Sequence, residues 1–244
     1  AVSLALVNPY SMLAVLEQTR WYSQWILMGD KGVDSFFVLS GFLIAHLLFR
    51  EFDKNQRINL KRFFYRRWLR LTPVYFFLLA LFYWFKTDNV ETEYLWAYVF
   101  YLNNFLDEAH RYLPHLWSLA VEEQFYIVFS VFTAFVLFRV KKPWQLLLAL
   151  LLLSLLIRAV IIMLEPKLLA TGHSLLYGNP ALTASYNQSL YINLHSRFGP
   201  IIIGVLLAYA YCYYNNDLRR FSQNNSKMLL LLAGLLIATS VLLP

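Results

Sequence analysis

The stretch Lys61–Phe85, KRFFYRRWLRLTPVYFFLLALFYWF, joins a cluster of cations to a long apolar run. Its first ten residues hold five cationic side chains, and from Val74 onward the residues are apolar. If the segment is helical, Arg62, Arg66 and Arg70 recur every four residues and form one stripe. A fixed row of forked guanidinium donors suits a polyanion. The stretch therefore predicts a basic array at the mouth of a membrane helix, which serves as an anchor, a binding site or both.

Composition places the rest of the chain in a membrane as well. Of the 244 residues 59% are hydrophobic and 14% charged, whereas roughly a quarter are charged in an ordinary soluble domain. The apolar residues come in blocks, most of them near the ~17 to 25 residues that cross a bilayer. The blocks are Val33–Phe49, Val74–Phe85, Leu116–Phe138, Trp144–Leu164, Phe198–Tyr214 and Met228–Leu243, with shorter or interrupted ones at Ala1–Leu16 and Tyr94–Leu106.

The fold class follows from how backbone groups are satisfied in lipid. Only helices and closed barrels satisfy them, and the alternating pattern of a barrel strand is not seen here. We therefore expect an all-α, polytopic transmembrane helix bundle with about seven or eight membrane segments in a single domain, residues 1–244. The single cysteine, Cys212, allows no internal disulfide, and the usual metal-binding spacings are absent, so no metal is expected.

Orientation follows from the basic residues, which collect on the cytoplasmic side of short loops. The loop 50–70 holds eight of the 21 and is predicted to be cytoplasmic. If the block Tyr94–Leu106 does not cross the membrane, 14 of the 21 lie on that side; a full crossing would place three of them outside. We prefer the first arrangement, because the block is short and contains two asparagines. It makes Glu165–Arg197 an outer loop.

Three ionisable residues fall inside apolar blocks. Arg158, in LLLLSLLIRAVIIML, costs at least ~2.5 kcal/mol without a partner and should face the bundle interior or a wet cavity. Glu122 and Glu123 lie beyond the reach of helix-start dipole effects if their helix begins near Pro114. One interpretation is that these glutamates pair with arginines on neighbouring helices.

The other interpretation is a proton-transfer site. Four side chains share one face at helical spacing and combine a potential base, a hydroxyl and a carboxylate. They are His115, Ser118, Glu122 and Tyr126. Trp117 beside them suits an interfacial aromatic belt.

The block Gly32–Ile44, GVDSFFVLSGFLI, carries polar and small residues at a span. Asp34 at its edge costs free energy unless something polar meets it. Ser40 and Gly41 would let another helix approach closely.

Taken in order, three blocks resemble the membrane-bound acyltransferase 3 family: GVDSFFVLSGFLI, FFYRRWLRLTPVY and LPHLWSLAVEEQFYIVF, with LHSRFGPIIIGVLLAY as a looser fourth. The resemblance implies a bundle of about ten helices in a bacterial inner membrane. It also implies transfer of an acyl group, commonly acetyl, from cytoplasmic acyl-coenzyme A to a hydroxyl of a cell-envelope carbohydrate or lipid-linked glycan. Acyl-coenzyme A is then a co-substrate, and no bound cofactor is expected.

Site residues follow from this chemistry. The phosphates of coenzyme A suit the arginines of the basic stretch. For catalysis we expect Glu122 to orient a base or the acceptor hydroxyl, with His115 and Ser118 assisting. Arg158 and Arg197 either stabilise charge in the intermediate or pair with Glu122 or Glu123. The donor-binding residues are Arg62, Arg66, Arg67 and Arg70, and the substrate-binding residues are Asp34, Trp117, Glu123 and Arg197.

One departure from the family concerns the first membrane helix, which usually carries an arginine and, ten residues later, a catalytic histidine. This chain has no histidine before His46, and Arg20 has no such partner. Asn8 is no base, and His46 lies at the cytoplasmic end of a different span. We expect either a fragment cut at both ends or an altered, inactive copy.

Other functions stay open at this point. A transporter or flippase for an anionic or lipid-linked sugar would also use intramembrane arginines and glutamates. A receptor-like interaction protein would not need an acid and a base on one face. The basic loop could bind anionic lipid head groups, each cation contributing ~1 kcal/mol. Nucleic acid is not an expected partner, because the net charge of +7 is concentrated at the membrane face. No protein partner can be inferred.

Overall fold

The computed structural model describes residues 29–85, 92–170 and 185–228. Within these ranges all regular structure is helical, so the predicted helix bundle is confirmed. The α-helices are α1 Gly29–Asn55, α2 Leu60–Trp84, α3 Leu95–Val99, α4 Trp117–Phe135, α5 Pro143–Leu164, α6 Leu194–Tyr213 and α7 Asn215–Asn224. A π-helical turn, Asn187–Tyr191, precedes α6. The predicted blocks Ala1–Leu16 and Met228–Leu243 lie outside the described residues, apart from Met228.

Four segments of the described chain are long and apolar enough to cross a membrane. They are Gly32–Asn55, Trp117–Arg139, Pro143–Leu164 and Gln188–Tyr213. The 25-residue helix α2 is also long, but its first half carries the cationic stretch. Its apolar remainder continues the same helix.

Helix α2 therefore joins the basic array to the apolar run without a break. The Asn59 side chain caps its start by accepting the backbone N–H of Arg62 at 3.0 Å. Pro73 lies within the helix. The arginine stripe was predicted on the condition that this segment is helical. Because one helix spans Leu60–Trp84, that condition is met.

Helices α1 and α6 pack at very close range. A Cβ atom on Gly41 of α1 would overlap the carbonyl oxygen of Ile201, and one on Gly204 of α6 would overlap the carbonyl oxygen of Val38. Small residues at such a seam let two membrane helices approach until their backbones touch. The predicted role of Gly41 in helix packing is thus confirmed.

Helices α1, α4 and α6 run in the same direction. Near their C-terminal ends the ring of Phe52 stacks on Phe138 at 3.9 Å, and the Tyr213 hydroxyl donates to Asp53 at 2.9 Å. We call this side of the bundle the basic end, because Arg50, the turn Leu137–Arg139 and the start of α2 lie here. The preferred arrangement groups three basic segments, which follow α1, α4 and α6. All three therefore begin at this end of the bundle.

The block Tyr94–Leu106 does not form a membrane-crossing helix. It folds as the five-residue α3 between 3-10 turns, and its backbone turns at Tyr101, whose φ is 55°. A bilayer core of about 30 Å needs a helix about four times as long as α3. The structure agrees here with the expectation that this block does not cross.

The predicted outer loop Glu165–Arg197 extends too far at its C-terminal end. Helix α6 begins at Leu194, so Arg197 lies in its first turn rather than in a loop. Because the residues of this turn are polar, hydropathy alone does not predict that the helix starts here. The fold accommodates them because Ser196 and Arg197 are buried in the bundle.

Candidate functional site

Arg67 of α2 points into the bundle and pairs with Glu123 of α4. Its Nε and Nη2 atoms each lie 3.0 Å from Oε1 of Glu123. Its guanidinium carbon lies 3.2 Å from the ring centroid of Tyr126. The other arginines assigned to donor binding, Arg62, Arg66 and Arg70, are exposed on the helix surface. The basic stretch therefore has an outer stripe and one inward arginine.

Glu122 belongs to a hydrogen-bond chain that crosses from α4 to α1. The Tyr126 hydroxyl donates to Oε1 of Glu122, and because this uses the single phenolic proton, the Ser40 hydroxyl donates to Tyr126. Glu122 is 4% exposed and Tyr126 2%. We call Ser40, Arg67, Glu122, Glu123 and Tyr126 the carboxylate cluster.

The two carboxylates of this cluster have different surroundings. Glu123 forms an ion pair with Arg67, whereas Glu122 accepts a hydrogen bond from the neutral hydroxyl of Tyr126. The first pair matches the expectation that a glutamate satisfies an arginine on a neighbouring helix. A buried carboxylate held by a neutral donor can accept or orient the proton of a nearby hydroxyl. Within the described residues no group of three potential metal-ligating side chains is found.

Arg197 organises a second group, the arginine cluster, with Asp34, Trp117 and Tyr191. Its Nη1 atom donates to Asp34 at 2.9 Å, and its Nε atom donates to the carbonyl of Tyr191 at 2.8 Å. Its guanidinium carbon lies 4.3 Å from the Tyr191 ring and 5.8 Å from the Trp117 ring. Three of the four predicted substrate-binding residues thus meet here, and the polar partner that Asp34 requires is Arg197. Glu123, the fourth, lies in the carboxylate cluster.

Arg158 contacts neither glutamate. Its Nη1 atom donates to the carbonyl oxygen of Ser196 at 3.1 Å. Pro200, four residues later, has no N–H with which to bond this carbonyl, as an ordinary helix residue would. Arg158 replaces the missing donor across the α5–α6 seam. Of the two roles that the sequence left open for Arg158 and Arg197, pairing with Glu122 or Glu123 is therefore wrong, since Arg158 bonds the Ser196 carbonyl and Arg197 pairs with Asp34.

Ser118 lies on the face of α4 that carries Glu122 and Tyr126, but His115 does not. His115 lies exposed in the 3-10 turn Pro114–Leu116, and the Ser118 hydroxyl donates to its carbonyl at 3.3 Å. The expected common face assumed an α-helix from Pro114, but α4 starts at Trp117. Because a 3-10 turn rotates by a larger angle per residue, His115 leaves that line. Assistance to Glu122 by these two residues stays a prediction.

The sequence did not identify a second polar group, which consists of amide side chains next to Glu123. Gln124 donates to the carbonyl of Tyr101 at 2.7 Å and to Oδ1 of Asn104 at 2.8 Å. Asn104 donates to Oδ1 of Asn193 at 3.3 Å. Asn103 and Asn104 have no exposed surface. The available signal was a pair of asparagines inside an apolar block.

The region expected to carry the first-helix histidine, residues 1–28, lies outside the described part of the chain. His46 lies on α1, where its ring stacks on Phe42 and its Nδ1 atom lies 3.4 Å from the sulfur of Cys212. It is about 9 Å along the helix axis from Ser40, toward the basic end. His46 is thus about 1.7 helical turns from Ser40 of the carboxylate cluster.

Comparison with known proteins gives one family and several relatives. A family described as an acyltransferase domain matches residues 3–244. The O-acetyltransferase OatA of Staphylococcus aureus (strain NCTC 8325 / PS 47) is 30% identical over 203 residues, which cover 77% of this chain and 31% of the relative. "Putative O-acetyltransferase SACOL0978" of Staphylococcus aureus (strain COL) is 39% identical over 138 residues, 50% of this chain and 23% of the relative. The chain thus spans less than a third of the matched relatives' length. No solved structure matches the chain.

Proposed function

The chain belongs to the acyltransferase-domain family, and on this premise we propose that it is an O-acyltransferase of the bacterial inner membrane. It transfers an acyl group, acetyl in the simplest case, from cytoplasmic acyl-coenzyme A to a hydroxyl of a cell-envelope carbohydrate or lipid-linked glycan. The names of the two relatives, both described as O-acetyltransferases, support the choice of acetyl.

The observation that carries the proposal is that the arginines of α2 lie on two faces of the helix with different surroundings. The exposed stripe of Arg62, Arg66 and Arg70 extends over about 12 Å of helix, a length comparable with the phosphate-bearing part of coenzyme A. On the adjacent face of the same helix, Arg67 reaches the half-buried carboxylate of Glu123, next to the buried Glu122. A donor held by the stripe is therefore anchored close to the side chains that would serve the reaction.

Acyl transfer from a thioester requires one proton to move. The acceptor hydroxyl attacks the thioester carbonyl and loses its proton; the C–S bond breaks, and the coenzyme A thiolate takes up a proton. In our proposal Glu122 orients the acceptor hydroxyl or the group that removes this proton. Arg67 and Glu123 keep Tyr126, and through it Glu122, in position by the ion pair and the ring contact.

The acceptor is proposed to bind at the arginine cluster. Asp34 lies about 9 Å before Ser40 along α1, away from the basic end. Asp34 remains partly exposed, with 42% of its side chain accessible. If the basic end and the loop 50–70 face the cytoplasm, the donor arrives from one side of the membrane and the acceptor from the other.

The test uses radiolabelled acetyl-coenzyme A and sealed membrane vesicles that contain the full chain. Donor is offered to one face at a time, together with cell-wall glycan fragments, and label in the glycan is counted. We expect label in the glycan only when the donor meets the face that carries loop 50–70. Label that stays in coenzyme A for both orientations contradicts the proposal. A transporter or flippase would move sugar across the membrane without labelling it.

A further inference from the structure

The segment Tyr101–Asn104, which we call the elbow, contains an unfavourable backbone conformation. Tyr101 has a φ of 55°, in the left-handed region that non-glycine residues adopt uncommonly and at a cost in free energy. Its ring stacks on Tyr75 of α2, with centroids 4.4 Å apart. Such conformations persist where the surroundings enforce them, and they are concentrated at binding and catalytic sites.

Two residues later the elbow contains a second unfavourable feature. Asn103 is 0% exposed, and neither Oδ1 nor Nδ2 has a hydrogen-bond partner among the described residues. Buried amides are normally paired, and an unpaired one destabilises the fold. The neighbouring Asn104 is equally buried but bonds Gln124 and Asn193. An apolar residue at position 103 would avoid the cost.

The elbow is hydrogen-bonded to α4, which carries Glu122 and Glu123, and to the residue that precedes α6, which carries Arg197. Gln124, which follows Glu123 directly in α4, ties the elbow to that helix through Tyr101 and Asn104. Asn104 then bonds Asn193, which immediately precedes α6 and lies four residues before Arg197. The elbow therefore contacts α4 one residue after Glu123 and contacts the chain four residues before Arg197.

We propose that Asn103 binds vicinal hydroxyl groups of the carbohydrate acceptor, an inference that rests on the proposed function. A primary amide offers an acceptor oxygen and donor hydrogens side by side. Two adjacent sugar hydroxyls complement it, one donating to Oδ1 and the other accepting from Nδ2. Because Asn103 has no exposed surface, the acceptor reaches it when the elbow moves. The left-handed conformation of Tyr101 lowers the free energy needed for that movement.

The test compares Asn103→Leu with Asn104→Leu in the full chain, purified into lipid nanodiscs. The probes are two soluble oligosaccharides, chitopentaose and maltopentaose, and the readouts are the melting temperature with and without probe and the KM for probe and donor. We expect Asn103→Leu to keep or raise the melting temperature, because it removes an unpaired amide. It should abolish the thermal shift caused by the probe and raise the probe KM about tenfold, while the KM for acetyl-coenzyme A is kept.

Asn104→Leu is the matched control, since it breaks formed hydrogen bonds and should lower the melting temperature. An equal drop for Asn103→Leu, or an unchanged probe KM and thermal shift, overturns the assignment of Asn103. So does a wild-type protein that neither shifts with a probe nor acylates one. If wild type binds a probe through Asn103 but never transfers label to glycan, the binding site stands and the proposed transferase reaction fails.

Discussion

The guanidinium of Arg158 donates to the carbonyl of Ser196, the one carbonyl of α6 whose helical donor Pro200 removes. This explains how an arginine is tolerated in a helix that is otherwise almost wholly apolar and lipid-facing. An unpaired carbonyl at membrane depth is costly, and a charged donor satisfies it strongly. The residue after Ser196 is Arg197, so the contact also steadies the turn from which the arginine cluster is built.

This relationship predicts that the contributions of Arg158 and Pro200 to stability are not additive. Arg158→Met should lower the free energy of unfolding by about 1 kcal/mol in the natural chain. In a Pro200→Ala background the new N–H bonds the Ser196 carbonyl, so the same change should cost less or stabilise. Melting temperatures in nanodiscs for the four variants measure the coupling. Equal costs in both backgrounds would exclude this role for Arg158.

Glu122→Gln tests the role of the Glu122 carboxylate while keeping a hydrogen-bond acceptor for Tyr126. The amide oxygen still accepts the Tyr126 hydroxyl, so membrane insertion and melting temperature should be nearly unchanged. The loss of a group that orients or accepts a proton should lower turnover by about 100-fold. Transfer of radiolabelled acetyl to glycan measures this. Full turnover in a correctly inserted variant refutes the assignment.

Adjacent arginines of α2 should behave differently. Arg66→Ala, on the exposed stripe, should raise the KM for acetyl-coenzyme A about tenfold and leave the acceptor KM unchanged, because it removes a charge-assisted contact to phosphate. Arg70→Ala should do the same. Arg67→Ala should instead lower turnover and stability, since it leaves the half-buried Glu123 without its cation. Steady-state kinetics with each substrate varied separately distinguish the two classes. Unchanged donor KM in both stripe variants contradicts the donor clamp.

Gly41→Ala should destabilise the α1–α6 seam. Its methyl group would overlap the carbonyl of Ile201, and separating the helices should cost about 1 to 3 kcal/mol. Gly32→Ala is the matched control on the same helix, because nothing lies within 4 Å of an added Cβ there. That variant should be neutral or stabilising by up to about 1 kcal/mol. Thermal denaturation in nanodiscs compares the two, and similar melting temperatures would argue against the close contact.

Much of the helix pattern could be predicted from the sequence. Apolar blocks identified α1, α4 and α5 closely, because hydropathy and length suffice in a membrane. Gly41 at a helix contact was predictable too, since small residues are the common way for membrane helices to approach. The start of α6 was missed because the polar residues near Arg197 are satisfied by other helices, which hydropathy does not register.

The contacts of the site were less predictable for a related reason. Which arginine of the basic stretch turns inward depends on where α4 presents Glu123, 56 residues later in the chain. The partner of Arg158 could be anticipated only with Pro200 and the packing of α5 on α6 in view. His115 was misplaced by the change from α-helix to 3-10 turn before Trp117, a local detail that side-chain spacing alone does not reveal.

The pairing of Asp34 with Arg197 joins residues that are 163 positions apart. During synthesis, α1 therefore enters the membrane long before its cationic partner leaves the ribosome. Until then the Asp34 carboxylate depends on water or lipid head groups at the membrane edge. The arginine cluster can thus form only after α6 has been inserted. A chain interrupted before α6 would lack this cluster.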